Sequence, residues 1–169
     1  MNIIDEIGIL AISTRLQRLS EQLRKDGALI YKSFDIDFEP KWFPVIYTLH
    51  VKEMLSVVEI ASEIGYSHPS TISLLKELEK QKLISSKKDK LDERKRLIVL
   101  TTKGKELVVK MQPVWNVMKN ALNEITDNQN NLLKAIEEAE QNLTRKAFIQ
   151  RALELKTETE TETDTENRD

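Results

Sequence analysis

The sequence predicts a mainly α fold (α+β) with one small two-stranded β-ribbon, and three observations predict it. Only four glycines and four prolines occur in 169 residues, which leaves room for long helices. Apolar residues recur at helical spacing towards both ends of the chain. Between residues 83 and 101, two short apolar segments flank a dense run of charge, the pattern of a hairpin. The length suits one domain with a real core.

The first helix carries Ile12, Leu16, Leu19, Leu23 and Ile30 on one face. Asp26-Gly27 is expected to weaken it, and Pro40 closes the region. A second, short helix is expected over residues 41–50, because Pro40 and Pro44 both suit a helix start. Ser56 and Glu59 form a Ser-x-x-Glu capping box that opens a third helix through Ile64. Gly65 then supplies the left-handed position that ends it. Ser67 caps the next helix, with Pro69 in its first turn, and that helix runs to about Gln81 with Ile72, Leu75 and Leu78 inward. Two helices joined by a short glycine-containing turn make a helix-turn-helix.

Residues 83–87 and 97–101 read as strands, with the charged segment 88–96 between them. A strand, charged loop and strand directly after a helix-turn-helix make a β-wing, so the central unit reads as a winged helix-turn-helix. A long helix over about 102–124 follows, with Leu107, Met111, Val114 and Met118 on one face. Residues 127–131 (DNQNN) break it. A last helix carries Leu132, Ile136, Ala139, Leu143 and Ala147. The tail TETETETDTENRD has no apolar residue and is expected to be disordered.

Charge is distributed unevenly. Residues 157–169 hold six acids against one base, so the preceding residues carry +3 of a chain whose net charge is −2. Within 68–105 there are eleven Lys or Arg and five Asp or Glu, an electrostatic footprint for a polyanion. With no cysteine, disulfides and thiol-based sensing are excluded. No run approaches the length of a membrane span, and the first residues lack a signal peptide's basic region, so a cytoplasmic location is expected.

This order of elements resembles the MarR family of bacterial winged-helix transcriptional regulators, over about residues 5–155. The resemblance is sharpest at LISSKKDKLDERKRLIVLTTKGKEL (83–107), where Asp92-x-Arg94 and Leu100-Thr101-x-x-Gly104 fall at the family's spacing. It implies a homodimer whose first and last helices interlock: residues 1–35 and 102–156 would form a helical dimerisation region around a winged helix-turn-helix at 36–101. It further implies double-stranded DNA as partner and release by a small aromatic or anionic effector.

The residue chemistry agrees. A helix entering the major groove needs small polar side chains near its N-terminus. Ser67, His68, Ser70, Thr71 and Ser73 supply them, with Lys76 and Lys80 placed for flanking phosphates. The wing offers Lys87, Lys88, Lys90, Arg94 and Arg96. The resemblance implies that Arg94 enters the minor groove, held by Asp92. Trp42, Phe43 and Tyr47 are candidates to line an effector pocket, with Arg15 or Arg18 pairing an anionic effector, although aromatics at this spacing more often form a core. Helices this long leave more apolar surface than a small domain can cover, which also favours a homodimer.

The expected function is a sequence-specific double-stranded DNA-binding transcriptional regulator, a ligand-responsive repressor acting on an imperfect palindrome. The alternative is a winged-helix protein–protein interaction module, an anti-regulator that does not touch DNA. Neither a nucleophile–base arrangement nor a cofactor motif is evident, so no enzyme and no cofactor are expected. Two isolated histidines make a metal site unexpected.

Overall fold

A computed structural model describes residues 2–88, 96–127 and 129–166, with backbone alone at 88 and 160–166. The chain falls into two compact units, Met1–Met118 and Lys119–Asp169.

The first unit opens with a short helix α1 (Ile3–Glu6), capped where Asn2 Oδ1 accepts from the Asp5 N–H at 3.2 Å. A 3-10 turn (Gly8–Ala11) leads into α2 (Ile12–Ser33). The expected weakening at Asp26-Gly27 does not interrupt α2. Gly27 is buried, and a Cβ there would meet Met118 and Pro40 at 3.4 and 3.5 Å, so the position packs closely against both. A second 3-10 turn (Pro40–Trp42) precedes α3 (Phe43–Lys52), each with a proline in its first turn.

The sheet has three strands, one more than the sequence suggests. β1 (Met54–Ser56) pairs antiparallel with the wing's return strand, so with β2 (Ile84–Lys88) and β3 (Arg96–Leu100) the order is β1-β3-β2. In register, Leu55 faces Ile98, and Ile98 faces Ser86 on the other side. Three residues are too few to show a period-2 pattern. Ser56 moreover serves twice, as the last strand residue and as the cap of α4 (Val57–Ile64). Both halves of that capping box form: Ser56 Oγ accepts from the Glu59 N–H at 3.3 Å, and Glu59 Oε2 accepts from the Ser56 N–H at 2.7 Å.

Gly65 (φ 68°) ends α4, and Ser67 caps α5 (His68–Lys80) by accepting from the Ser70 N–H. Helix α5 ends in an unusual way. The left-handed position after its C-cap belongs to Lys82 (φ 59°), with the Leu83 N–H returning to Leu78 O at 3.0 Å. A side chain there strains the backbone by about 1 kcal/mol or more. Lys82→Gly is therefore expected to raise folding stability by about 1 kcal/mol. A shift of the urea midpoint at constant slope checks this; an unchanged or lower midpoint would argue against strain at residue 82.

Buried residues of α2, the second 3-10 turn, α3, α4, α5, β2, β3 and α6 share one core, which includes Tyr31, Trp42, Leu49, Leu78, Ile98 and Met111, with half-buried Leu55 of β1 packed against it. The Trp115 indole N–H donates to the Tyr31 hydroxyl at 2.8 Å. Burial raises the pKa of that hydroxyl above the usual tyrosine value.

Helix α6 (Thr102–Thr126) runs from the first unit into the second. There the single last helix expected from the sequence is two helices, α7 (Leu132–Arg145) and α8 (Phe148–Glu166). Lys146 between them is extended (ψ 119°), and Arg151 donates to the Asn142 and Lys146 carbonyls at 2.9 and 3.2 Å. Those bonds satisfy acceptors that a helix end leaves open. The backbone of 157–166, expected to be disordered, continues α8, with Thr157 and Thr159 hydroxyls donating to Leu153 and Leu155 carbonyls.

Candidate nucleic-acid interface

Helix α5 presents one solvent-facing stripe. Pro69, Ser73, Lys76 and Lys80 follow at four-, three- and four-residue steps, and all are exposed. Ser67, His68 and Ser70 are exposed at its N-terminal end, where the Ser67 hydroxyl donates to Ser70 Oγ at 2.8 Å. Thr71 is a correction to the sequence reading. It is fully buried, and its hydroxyl donates to Ser67 O at 3.0 Å. The reason is periodicity: Thr71 shares the inward face with Leu75 and Leu78.

The wing flanks this stripe. Lys87 and Arg96 are exposed, and Lys88 is paired with Arg96 across the strands. Lys90, Asp92 and Arg94 lie outside the described residues. Between α5 and the strands lies a groove of about 630 Å³, lined in part by Glu59, His68, Lys76, Glu79 and Arg96.

The wing's base is stapled to its surroundings through Leu100-Thr101-x-x-Gly104. The Thr101 hydroxyl donates to Lys82 O at 2.7 Å, and the Thr101 N–H to Leu83 O at 3.0 Å. Thr101 Oγ1 in turn accepts from the Gly104 N–H at 3.0 Å, capping α6. Lys103 Nζ reaches Gln81 O, at the end of α5, at 2.8 Å. A Cβ on Gly104 would lie 2.1 Å from Leu83 O, so only glycine lets α6 approach the start of β2 this closely.

A second anchor, not evident in the sequence, holds α5 from another side. Glu77 Oε2 accepts from the Trp42 indole N–H at 3.1 Å and pairs with Lys41 Nζ at 2.7 Å. Lys41 also pairs with Glu39 at 3.0 Å. Hydrogen bonds from Lys41 and then Trp42 hold the Glu77 carboxyl below the usual glutamate value, and bonds to Glu77 and then Glu39 raise the Lys41 ammonium. The pairs are well exposed, so their stabilising effect is small; the Glu77 part is lost as pH falls through its lowered pKa. Local sequence patterns carry no sign of a partnership spanning 41 to 77.

The candidate effector residues separate. Trp42 is buried in the core, edge-on to Phe38 at 5.7 Å, because its indole N–H is satisfied by Glu77. Phe43 and Tyr47 remain well exposed and gather around Trp115, at 5.5 and 5.4 Å between ring centroids. Trp115 and its neighbour His50 were not anticipated there. Arg15 lines a different groove with Ile9, Ile12 and Leu16, and Arg18 pairs with Asp5 at 2.6 Å.

Residues 36–95, the segment holding this helix-turn-helix, match the profile of the MarR family. The match spans the helix-turn-helix and the start of the wing. The chain is 28% identical over 131 residues to the HTH-type transcriptional regulator SarZ of Staphylococcus saprophyticus subsp. saprophyticus, covering 78% of the chain and 86% of SarZ. Its fold matches that of the transcriptional repressor CouR bound to a 23-mer DNA duplex (TM-score 0.67, 22% identity, 79% of this chain and 96% of that one). It also matches the PcaV transcriptional regulator of Streptomyces coelicolor in complex with its natural ligand (TM-score 0.62, 15% identity, 79% and 92%). Among the described residues, no helix is long and apolar enough to cross a membrane.

Proposed function

We propose that the chain is a sequence-specific double-stranded DNA-binding transcriptional regulator, acting as a homodimer and as a ligand-responsive repressor. One observation carries this reading: the exposed Ser70–Ser73–Lys76–Lys80 side of α5 stands beside a basic hairpin whose base is bonded to both α5 and α6. Short hydroxyl side chains let the helix backbone approach base edges, and the two lysines reach flanking phosphates. DNA-bound CouR shares the fold, which supports double-stranded DNA as the partner.

Exposed apolar side chains support the dimer. In the first unit these include Ile3, Ile9, Leu10 and Ile12; in the second, Leu133, Leu143, Phe148 and Ile149. Helices α7 and α8 bury no described residue at all. Apolar faces of this extent mark an interface, and a second copy is the occupant that the family resemblance implies. Two α5 helices related by a two-fold axis require half-sites one helical turn apart. The small aromatic or anionic effector of this reading is assigned to the exposed Phe43 and Tyr47 beside half-buried Trp115, where a planar ligand can stack.

Arg94 is the wing residue assigned to the minor groove, where a narrow A/T-rich groove attracts a guanidinium. Arg94→Ala is expected to weaken binding of a recognised duplex about tenfold; wild-type affinity in a gel-shift titration would remove Arg94 from the interface. The function itself is tested by selecting bound molecules from a random-sequence duplex library. The expected product is an imperfect palindrome with half-sites one helical turn apart. A library that shows no enrichment would contradict sequence-specific binding.

A further inference from the structure

We infer that Pro69, the second residue of α5, is a specificity-determining residue that reads the C5-methyl group of a thymine in the major groove. The inference rests on the DNA-binding reading above. Pro69 heads the exposed stripe that continues through Ser73, Lys76 and Lys80, so it lies on the side of α5 that carries the phosphate-directed lysines. Residues near the N-terminus of a recognition helix are the ones that meet base edges. The polar side chains around Pro69 are committed elsewhere or unselective. Ser67 Oγ accepts from the Ser70 N–H and donates to Ser70 Oγ, so it is occupied by the cap. His68 lines the groove between α5 and the strands. The Ser70 and Ser73 hydroxyls can each donate or accept, and so pair with several base edges.

The composition of α5 narrows the choice further. Paired hydrogen bonds single out guanine through Arg or Lys, and adenine through Asn or Gln. From His68 to Lys80 the helix contains no Arg, Asn or Gln, and its two lysines stand further along it than Pro69. Pro69 itself has no N–H and an all-hydrocarbon ring, so it offers a base pair apolar contact alone. The apolar group that a base presents in the major groove is the thymine methyl. Unlike a phosphate contact, this one differs between base pairs, so it discriminates between sequences.

The test uses the full chain and a labelled duplex recovered by library selection, with deoxyuridine replacing thymine at one half-site position at a time. That change removes the methyl group and keeps the base pairing. Anisotropy titrations are expected to show one thymine per half-site whose replacement weakens binding about threefold, and about tenfold when both half-sites are changed. The salt slope should stay constant, because no phosphate contact is lost. In Pro69→Ser, with helicity checked by far-UV circular dichroism, the thymine and deoxyuridine duplexes are expected to bind equally well. A proline that only started the helix would leave the wild-type ratio in place. A wild type indifferent to every deoxyuridine, or a Pro69→Ser variant that keeps the full ratio, would overturn this inference alone. A wild type that selects and binds no duplex would overturn the DNA-binding reading with it.

Discussion

A Gly104→Ala variant is expected to lose about 3 kcal/mol of folding stability. Propensity alone predicts the opposite sign, because Gly104 lies in the first turn of α6 and alanine favours a helix by about 1 kcal/mol over glycine. Sterics reverse that. The added Cβ would stand 2.1 Å from the Leu83 carbonyl oxygen, a backbone atom that no side-chain rotation can move aside. Relief requires α6 to withdraw from β2, which breaks the bonds from Thr101 to Leu83 and from Lys103 to Gln81. Chemical denaturation followed by far-UV circular dichroism measures the loss. A variant as stable as wild type, or more so, would mean that the staple at the wing's base is not as tight as the geometry shows.

Replacing Lys76 and Lys80 together by alanine is expected to weaken DNA binding roughly ten- to a hundredfold at low salt, and to reduce the salt slope by about two. Both side chains lie on the exposed stripe of α5, and neither forms an ion pair among the described residues. Each is free to replace one condensed counterion on a phosphate. The loss should be uniform across duplex sequences, because phosphate contacts carry no base information. Folding stability should change little, since alanine is at least as good a helix former and nothing packs over these residues. A loss confined to one sequence would reassign these lysines to base contacts.

The parts of this fold that were legible in the sequence are those fixed by local rules. The Ser56–Glu59 capping box, the left-handed Gly65 and the Ser67 cap each depend on a few neighbouring residues, and each appears as expected. The two wing strands lie within one residue of their expected bounds. What escaped depends on the tertiary fold. β1 exists because β3 pairs with it, and three residues cannot announce a strand alone. Thr71 looked like part of the interface by residue type, yet its place at the i−4 position from Leu75 puts it inside. Trp42 looked like a ligand contact, but a carboxylate 35 residues away claims its indole. The assignment of Asp92 and Arg94 stands on the family resemblance.

The central claim is that α5 and the wing together grip a DNA duplex through phosphates. The most direct measurement is the affinity of the full chain for a library-selected duplex, followed by anisotropy across a salt series. Tight binding is expected at low salt, with the logarithm of affinity falling linearly with the logarithm of salt concentration at a slope corresponding to several phosphates. Absence of binding, or an affinity indifferent to salt, would contradict it.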